Sequence, residues 1–354
     1  MILDTDARGR TAPVTLELEA EPPFDALGVF EFLEARVIPG VERIDTPGLT
    51  YARTILAPGG PASFEVTCSR TAELTPEWRV TATIQATDSG DVPAISAFIS
   101  RLFDLNAHAA RIDAGLAEDP ALAPLIRARP GMRVPGAVDP AELVIRAIVG
   151  QQITVAAARG HLARLTARAG SPVSNPVTAH PGNPGTPDGS ETSALTTLFP
   201  TPAQIVDAVP FIGPRDELDP DRPLRLPRRQ SNAVRAAAEA LATGALDARA
   251  GADPATFAAQ LATVPGVGPW TAAYVALRVF GDSDAWMLGD VALVAGARAI
   301  RILPSTRQGS KQAEHRALAA RAEQWAPWRS YASMHLWRAA ASPASNRESN
   351  HAVK

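Results

Sequence analysis

One carboxylate, and a glycine hairpin shortly before it, are the residues of this chain best suited to chemistry. Asp290 stands directly before Val291-Ala292-Leu293-Val294-Ala295-Gly296-Ala297-Arg298, which reads as helix, so it falls at an N-cap and should accept from the N–H groups two and three residues on. Capping alone explains an Asp there. A carboxylate fixed in direction is also what a reaction needs when positive charge develops on its substrate. Upstream, Val264-Pro265-Gly266-Val267-Gly268 cannot continue the helix read over Thr256 to Thr263, and Pro269 suits the first position of the next helix. Glycines in such a hairpin let a partner approach the backbone, and the open N–H groups of the second helix form an anion site for which phosphate is a natural guest. Trp270 and Tyr274, four residues apart, share one face of that helix. Core packing would explain either ring, less readily Trp270, which lies in the first turn.

Elements on both sides must position these groups. From Val14 to about Ala86 strands are expected, by alternation over Val14–Glu19 and Arg79–Gln85 and by β-forming composition over Leu49–Leu56 and Ala62–Thr67, with helices expected over Asp25–Val37 and Val92–Phe103. The expected fold class is therefore α+β: a small N-terminal antiparallel sheet with helices over residues 1–105, then an all-helical part over 106–354 in two subdomains. Helices are read over Ala107–Ala128, Pro140–Val149 and Thr154–Ala169, the last two joined by a short tip holding Gln151 and Gln152. Residues 170–198 are rich in Pro, Gly, Ser and Thr with few large apolar residues, and are expected to be a disordered insertion. Later helices are expected at Pro202–Ala208, about Arg229–Thr243, Lys311–Trp325 and Tyr331–Ala341.

Composition excludes several classes. Of 354 residues 34 are Lys or Arg and 37 Asp or Glu, a net charge of −3, which argues against nonspecific coating of nucleic acid. Positive charge is almost all arginine, since Lys311 and Lys354 are the only lysines; Arg222 to Arg235 holds five arginines and no acid. The single cysteine, Cys68, excludes an internal disulfide framework, a Cys-ligated zinc and an iron–sulfur cluster. No apolar stretch has the length of a signal peptide or a membrane span, so the expectation is a soluble, cytoplasmic protein.

The stretch LATVPGVGPWTAAYVALRVF, 261–280, followed by Asp290, resembles the helix-hairpin-helix and Gly/Pro-Asp motif of the DNA glycosylase superfamily. WAPWRSYASMHLW, 325–337, narrows the resemblance to the AlkA-type DNA-3-methyladenine glycosylase II family, and Pro22-Pro23-Phe24-Asp25, Ser100–Leu105 and Arg129–Ala158 agree in order. This resemblance implies a DNA glycosylase that flips out and excises alkylated bases of the 3-methyladenine and 7-methylguanine type from double-stranded DNA, as a monomer, in base excision repair. Asp290 would stabilise an oxocarbenium-like sugar and assist water attack; Trp270, Tyr274, Trp337 and Phe32 would line the base pocket. Gln152 takes the place of the minor-groove wedge, shared with Ile153, and Gly266, Gly268 and Thr271 would meet the DNA backbone. No metal or redox cofactor is required, but carbonyls of Ala262, Val264 and Val267 are implied to hold Na+ or K+. Pro269–Phe280 has no lysine for a Schiff base, so no lyase step is expected. Val291 departs from the family, whose residue after the Asp is often aromatic. Two other readings stay open: a noncatalytic, damage-binding helix-hairpin-helix protein, and a glycosylase for oxidised or deaminated bases.

Overall fold

A computed structural model describes residues 12–71, 77–177, 194–248, 252–304 and 309–341. The first layer is a five-stranded antiparallel sheet of β1 (Val14–Leu18), β2 (Glu42–Asp45), β3 (Thr50–Ala57), β4 (Gly60–Arg70) and β5 (Trp78–Ala86), in the order β1-β5-β4-β3-β2. Two helices, α1 (Ala26–Glu34) and α2 (Val92–Leu102), supply the apolar residues that cover it. Alternation along β5 turns Val80, Ala82 and Ile84 inward, in register with Cys68, Val66 and Phe64 of β4, against Phe30 and Leu33 of α1 and Ile95 and Ile99 of α2. Removing each larger side chain from water contributes about 1.5–3 kcal/mol. β2 was not expected: Glu-Arg-Ile-Asp lacks an apolar pattern and pairs because β3 offers an open edge.

The expected single helix over 107–128 is two, α3 (Ala109–Leu116) and α4 (Ala123–Ala128). Pro120 lacks an N–H and pushes Asp119 out of helical geometry, and the Asp119 carboxylate instead takes the Trp325 indole N–H at 2.8 Å and the Arg321 guanidinium at 2.8 Å. Next come α5 (Pro140–Val149), capped by Asp139, and α6 (Val155–Ala169), capped by Thr154. Residues 170–198 also depart from expectation. Their ends form a two-stranded antiparallel ladder, β6 (Ser171–Val177) with β7 (Leu195–Leu198), because Leu195 and Leu198 find burial, Thr196 and Thr197 donate to Gly40 O, and the Thr54 hydroxyl donates to Thr197 O at 2.6 Å. The middle of that insertion, 178–193, lies outside the described residues.

The remaining helices are α7 (Pro202–Ala208), α8 (Arg228–Thr243), α9 (Pro254–Ala262), α10 (Pro269–Val279), α11 (Val291–Ala299), α12 (Lys311–Ala322) and α13 (Arg329–Ala341). They gather around two apolar cores. One is built mainly by α5 to α10; the other draws on α3, α4 and α11 to α13. α10 serves both, sending Val275 and Val279 to the first and Leu277 to the second. The crossing of α11 and α13 depends on Gly296, where any Cβ would lie 2.0 Å from Leu336 O. That close approach sets Trp337 beside the helix that Asp290 begins. No helix among the described residues is long and apolar enough to cross a membrane.

Candidate active site

Asp290 is the N-cap of α11: Oδ1 accepts from Ala292 N at 2.8 Å and Leu293 N at 2.9 Å. Its other oxygen, Oδ2, accepts from the Trp270 indole N–H at 2.9 Å. Three donors from two helices therefore fix the carboxylate, which also faces the positive end of α11. Capping, the simpler reading of Asp290, holds for Oδ1, while the bond from Trp270 is made across the fold and would not be needed for a cap.

Trp270 stacks on Tyr274 with centroids 5.2 Å apart and planes 6° from parallel, and Tyr274 meets Trp337 at 6.3 Å and 60°. Trp270 and Tyr274 already touch face to face, so a flat guest must lie beside the stack rather than within it. Phe32 joins this group through an arginine: the Arg278 guanidinium lies 4.7 Å from the Phe32 centroid and 5.6 Å from that of Tyr274, and Nη1 donates to the Tyr274 hydroxyl at 2.7 Å. Arg278 is 5% exposed and is anchored by donation to Pro135 O, and to Gly136 O at 2.9 Å. Arg36 covers Phe32 at 3.6 Å. Burial pushes the Tyr274 phenol up, but Arg278 and Arg36 outweigh it and leave the phenol below its ordinary range. Burial, opposed by Tyr274 and reinforced by repulsion from Arg278 and Arg146, lowers the Arg36 guanidinium.

Of the four aromatic residues expected at the site, Trp270, Tyr274 and Trp337 form one cluster, Phe32 joins it only through Arg278, and Trp270 is the one bonded to Asp290. Sequence reasoning missed Arg36 and Arg278. Arg278 lies four residues beyond Tyr274 and so on its helix face, a signal present in the spacing; Arg36 carried none. It also missed Leu288, which with Val291 flanks Asp290, the two side chains being 52% and 72% exposed.

At the hairpin, Gly266 takes φ +86°, and a Cβ there would meet the Ala233 Cβ of α8 at 2.6 Å, so only glycine fits. Gly268 has nothing within 4 Å of its built Cβ and faces open space. The Trp270 and Thr271 N–H groups have no backbone acceptor among the described residues, as an anion site requires. The Thr271 side chain is not part of that surface. It is 1% exposed, and its hydroxyl takes a 2.8 Å hydrogen bond from Gln151, which also reaches Gly266 O at 3.2 Å. Gln152, exposed at φ +60°, is the residue presented at the α5–α6 tip, whereas Ile153 is half-buried against the first helical core. Behind the tip, Gln230 of α8 donates to Ile148 O, Val149 O and Gln151 O at 3.0–3.2 Å. Two neighbouring glutamines gave no sign of which would turn inward.

Among the described residues no group of His, Cys, Asp or Glu could hold a metal ion. Among the described residues the carbonyls of Ala262 and Val267 have no backbone N–H donor, and that of Val264 accepts from Val267 N at 3.1 Å. Of the arginines in 222–235, Arg222 donates to Asp219 O, Arg228 to Asp216 O, and Arg235 to Val206 O and Val209 O, and Arg235 also pairs with Glu239 at 2.8 Å, while Arg225 and Arg229 are exposed.

The glycine hairpin opening α10, the capping carboxylate of α11 and the aromatic cluster beside it are the parts that the resemblance to helix-hairpin-helix DNA glycosylases implies. Comparison with known proteins agrees. Residues 15–139 match the AlkA N-terminal domain. The chain is 30% identical over 322 residues to DNA-3-methyladenine glycosylase 2 of Escherichia coli, covering 90% of this chain and 95% of that one. It is 32% identical over 331 residues, 94% of its own length, to the Mycobacterium tuberculosis "Probable bifunctional transcriptional activator/DNA repair enzyme AlkA", of which it spans 58%. In fold it is similar to a 3-methyladenine DNA-glycosylase from Archaeoglobus fulgidus, with TM-score 0.66 and 16% identity over 91% of this chain and 97% of that one. The chain belongs to the AlkA family of DNA-3-methyladenine glycosylases.

Proposed function

We propose that this chain is a monofunctional glycosylase that flips alkylated bases of the 3-methyladenine and 7-methylguanine type out of double-stranded DNA and hydrolyses their N-glycosidic bond. The observation that carries the reading is the Asp290 carboxylate, held at the start of α11 by Ala292 N, Leu293 N and the indole of Trp270, at the edge of an aromatic cluster. Extrahelical DNA would place a phosphate on the open N–H groups of Trp270 and Thr271, with Gln152 filling the gap in the duplex. A monovalent cation on the Ala262, Val264 and Val267 carbonyls would add positive charge at that phosphate. As the C1′–N bond breaks, its electron pair leaves with the base; Asp290 faces the positive charge growing on the sugar, and water adds to C1′ while its proton passes to Asp290 and on to solvent. Preorganisation of this kind supports a rate gain because the carboxylate does not reorient as charge develops. α10 offers no lysine to form a Schiff base, which supports hydrolysis without strand cleavage.

Methylated duplex DNA provides the test. Wild-type protein should release free 3-methyladenine, nicks should appear only after alkali, and Asp290→Asn should release it on the order of 10³-fold more slowly. Nicks before alkali would overturn the monofunctional reading. Intact bases with both proteins, despite binding to the damaged duplex, would establish a noncatalytic damage-binding protein instead.

A further inference from the structure

The chain enters α8 through Arg222-Pro223-Leu224-Arg225-Leu226-Pro227-Arg228-Arg229. Leu224 and Leu226 are buried in the first helical core, and the Ser231 hydroxyl donates to Leu226 O. Arg225, between the two anchored leucines, is turned outward, and Arg229 is exposed in the first turn of α8. Among the described residues neither meets a carboxylate, whereas Arg235 of the same helix pairs with Glu239 at 2.8 Å. The acids of the loop come earlier: Asp216 accepts from Gly213 N and Asp219 from Asp221 N, while Glu217 and Asp221 are exposed. A cation in the first turn of a helix faces the positive end of the dipole, so Arg229 gains the fold nothing where it stands. Position ties both arginines to the elements already assigned to DNA. Gln230, the next residue, holds the carbonyls of Ile148, Val149 and Gln151, so α8 begins directly behind the tip that presents Gln152. One turn further along α8, Ala233 is the residue against which Gly266 of the hairpin packs.

We infer that Arg225 and Arg229 hold phosphates of the duplex beside the extruded nucleotide, so that DNA rests on three elements: the hairpin, the α5–α6 tip and the segment entering α8. This rests on the glycosylase reading above and adds to it a surface that grips damaged and undamaged duplex alike. Guanidinium groups take phosphate oxygens through paired N–H donors, and such contacts fix where a duplex lies without reading its bases. A net charge of −3 gives the whole molecule no attraction for DNA, so local arginines must supply it. Each phosphate they neutralise releases condensed cations, which makes affinity fall more steeply with salt. Because the leucines and prolines already fix the segment, little order is lost when DNA arrives.

Binding to two duplexes of one sequence, undamaged or carrying an abasic-site analogue, measured between about 50 and 200 mM salt, tests this. Arg225→Gln and Arg229→Gln should each weaken both duplexes by a common factor of about five to ten near ~0.1 M salt, and lower the slope of log affinity against log salt by about 1. The double variant should lose about 2 from the slope. Release of 7-methylguanine in a single turnover at saturating protein should stay at the wild-type rate, which also shows that the variants fold. Arg168→Gln, in the last turn of α6 and about 20 Å along it from Val155, should alter neither slope nor affinity. Wild-type slope and affinity in the double variant overturn the inference and leave the glycosylase reading standing. So does a loss confined to the damaged duplex, or an equal loss in Arg168→Gln, which would assign the effect to overall charge. A wild type that binds neither duplex overturns both readings.

Discussion

Two clusters of arginines lie close together in this molecule and are treated in opposite ways. Where β2 and β3 meet α5, Arg53 and Arg146 share Glu42 and Glu142: Arg53 Nη2 is 2.8 Å from Glu142 Oε2, and Arg146 Nη2 is 2.7 Å from Glu42 Oε2 and 2.6 Å from Glu142 Oε1. Glu42 also accepts from the Tyr51 hydroxyl at 2.7 Å and from Ile38 N at 2.9 Å, so every charge in this buried knot has a partner. Burial raises the Glu42 carboxyl, but Arg146 and Arg53 outweigh it and hold it below its usual range. Beside the aromatic cluster, the partners of Arg36 and Arg278 among the described residues are carbonyls, a phenol and a ring. Charges balanced within the knot join sheet to helices, whereas the second pair keeps its positive charge without a neutralising carboxylate among the described residues.

The largest test of that contrast is Glu142→Ala, which strands Arg53 and half of Arg146's pairing in the interior. It should cost about 3–5 kcal/mol of stability by denaturant unfolding. A loss below about 1 kcal/mol would mean that the knot does not hold sheet and helices together. Asp290→Asn comes next. Asn caps as well as Asp, so α11 and the melting temperature should be preserved while base release falls on the order of 10³-fold. A matching loss of stability would assign Asp290 to the fold.

Trp270→Phe keeps the stack on Tyr274 but removes the indole donor to Asp290 Oδ2; a fall of about tenfold in release is expected, read as rate rather than binding. The smallest effect concerns Asp104, at φ +52°, whose Oδ2 accepts from Val134 N at 3.0 Å and the Tyr331 hydroxyl at 3.0 Å. Burial pushes this carboxyl up to about 6, against the pull of those bonds and of Arg133. The folded protein thus holds the proton more tightly than the unfolded chain, so this group's contribution falls as pH rises from about 4 to about 6 and is fully unfavourable above that. Asp104→Asn, suited to a left-handed φ, should raise the melting temperature at pH 8 by about 1–2 °C and leave it unchanged at pH 4. An equal shift at both pH values would place the effect in backbone conformation.

Asp290 as a cap, the hairpin break at Gly266 and Gly268, and the shared face of Trp270 and Tyr274 were legible in the sequence because each is decided within one or two helical turns. So was the α+β order, since alternation and helical spacing are local patterns, whereas the roles of the other site residues came from the family resemblance alone. Pro120 could have signalled the break between α3 and α4, but the partners that Asp119 takes, Arg321 and Trp325, lie 202 and 206 residues away. Short-range pattern likewise concealed β2 and the β6–β7 ladder, whose polar strands are held by β3, Gly40 and Thr54. Only the tertiary structure turned Gln151 inward and Gln152 out, brought α11 against α13 at Gly296, and set Arg36 and Arg278 beside Tyr274. Capping and turn chemistry act through hydrogen bonds between near neighbours, whereas these placements follow from which faces of distant helices pack together, and two arginines 242 residues apart become neighbours only when the cores close between them.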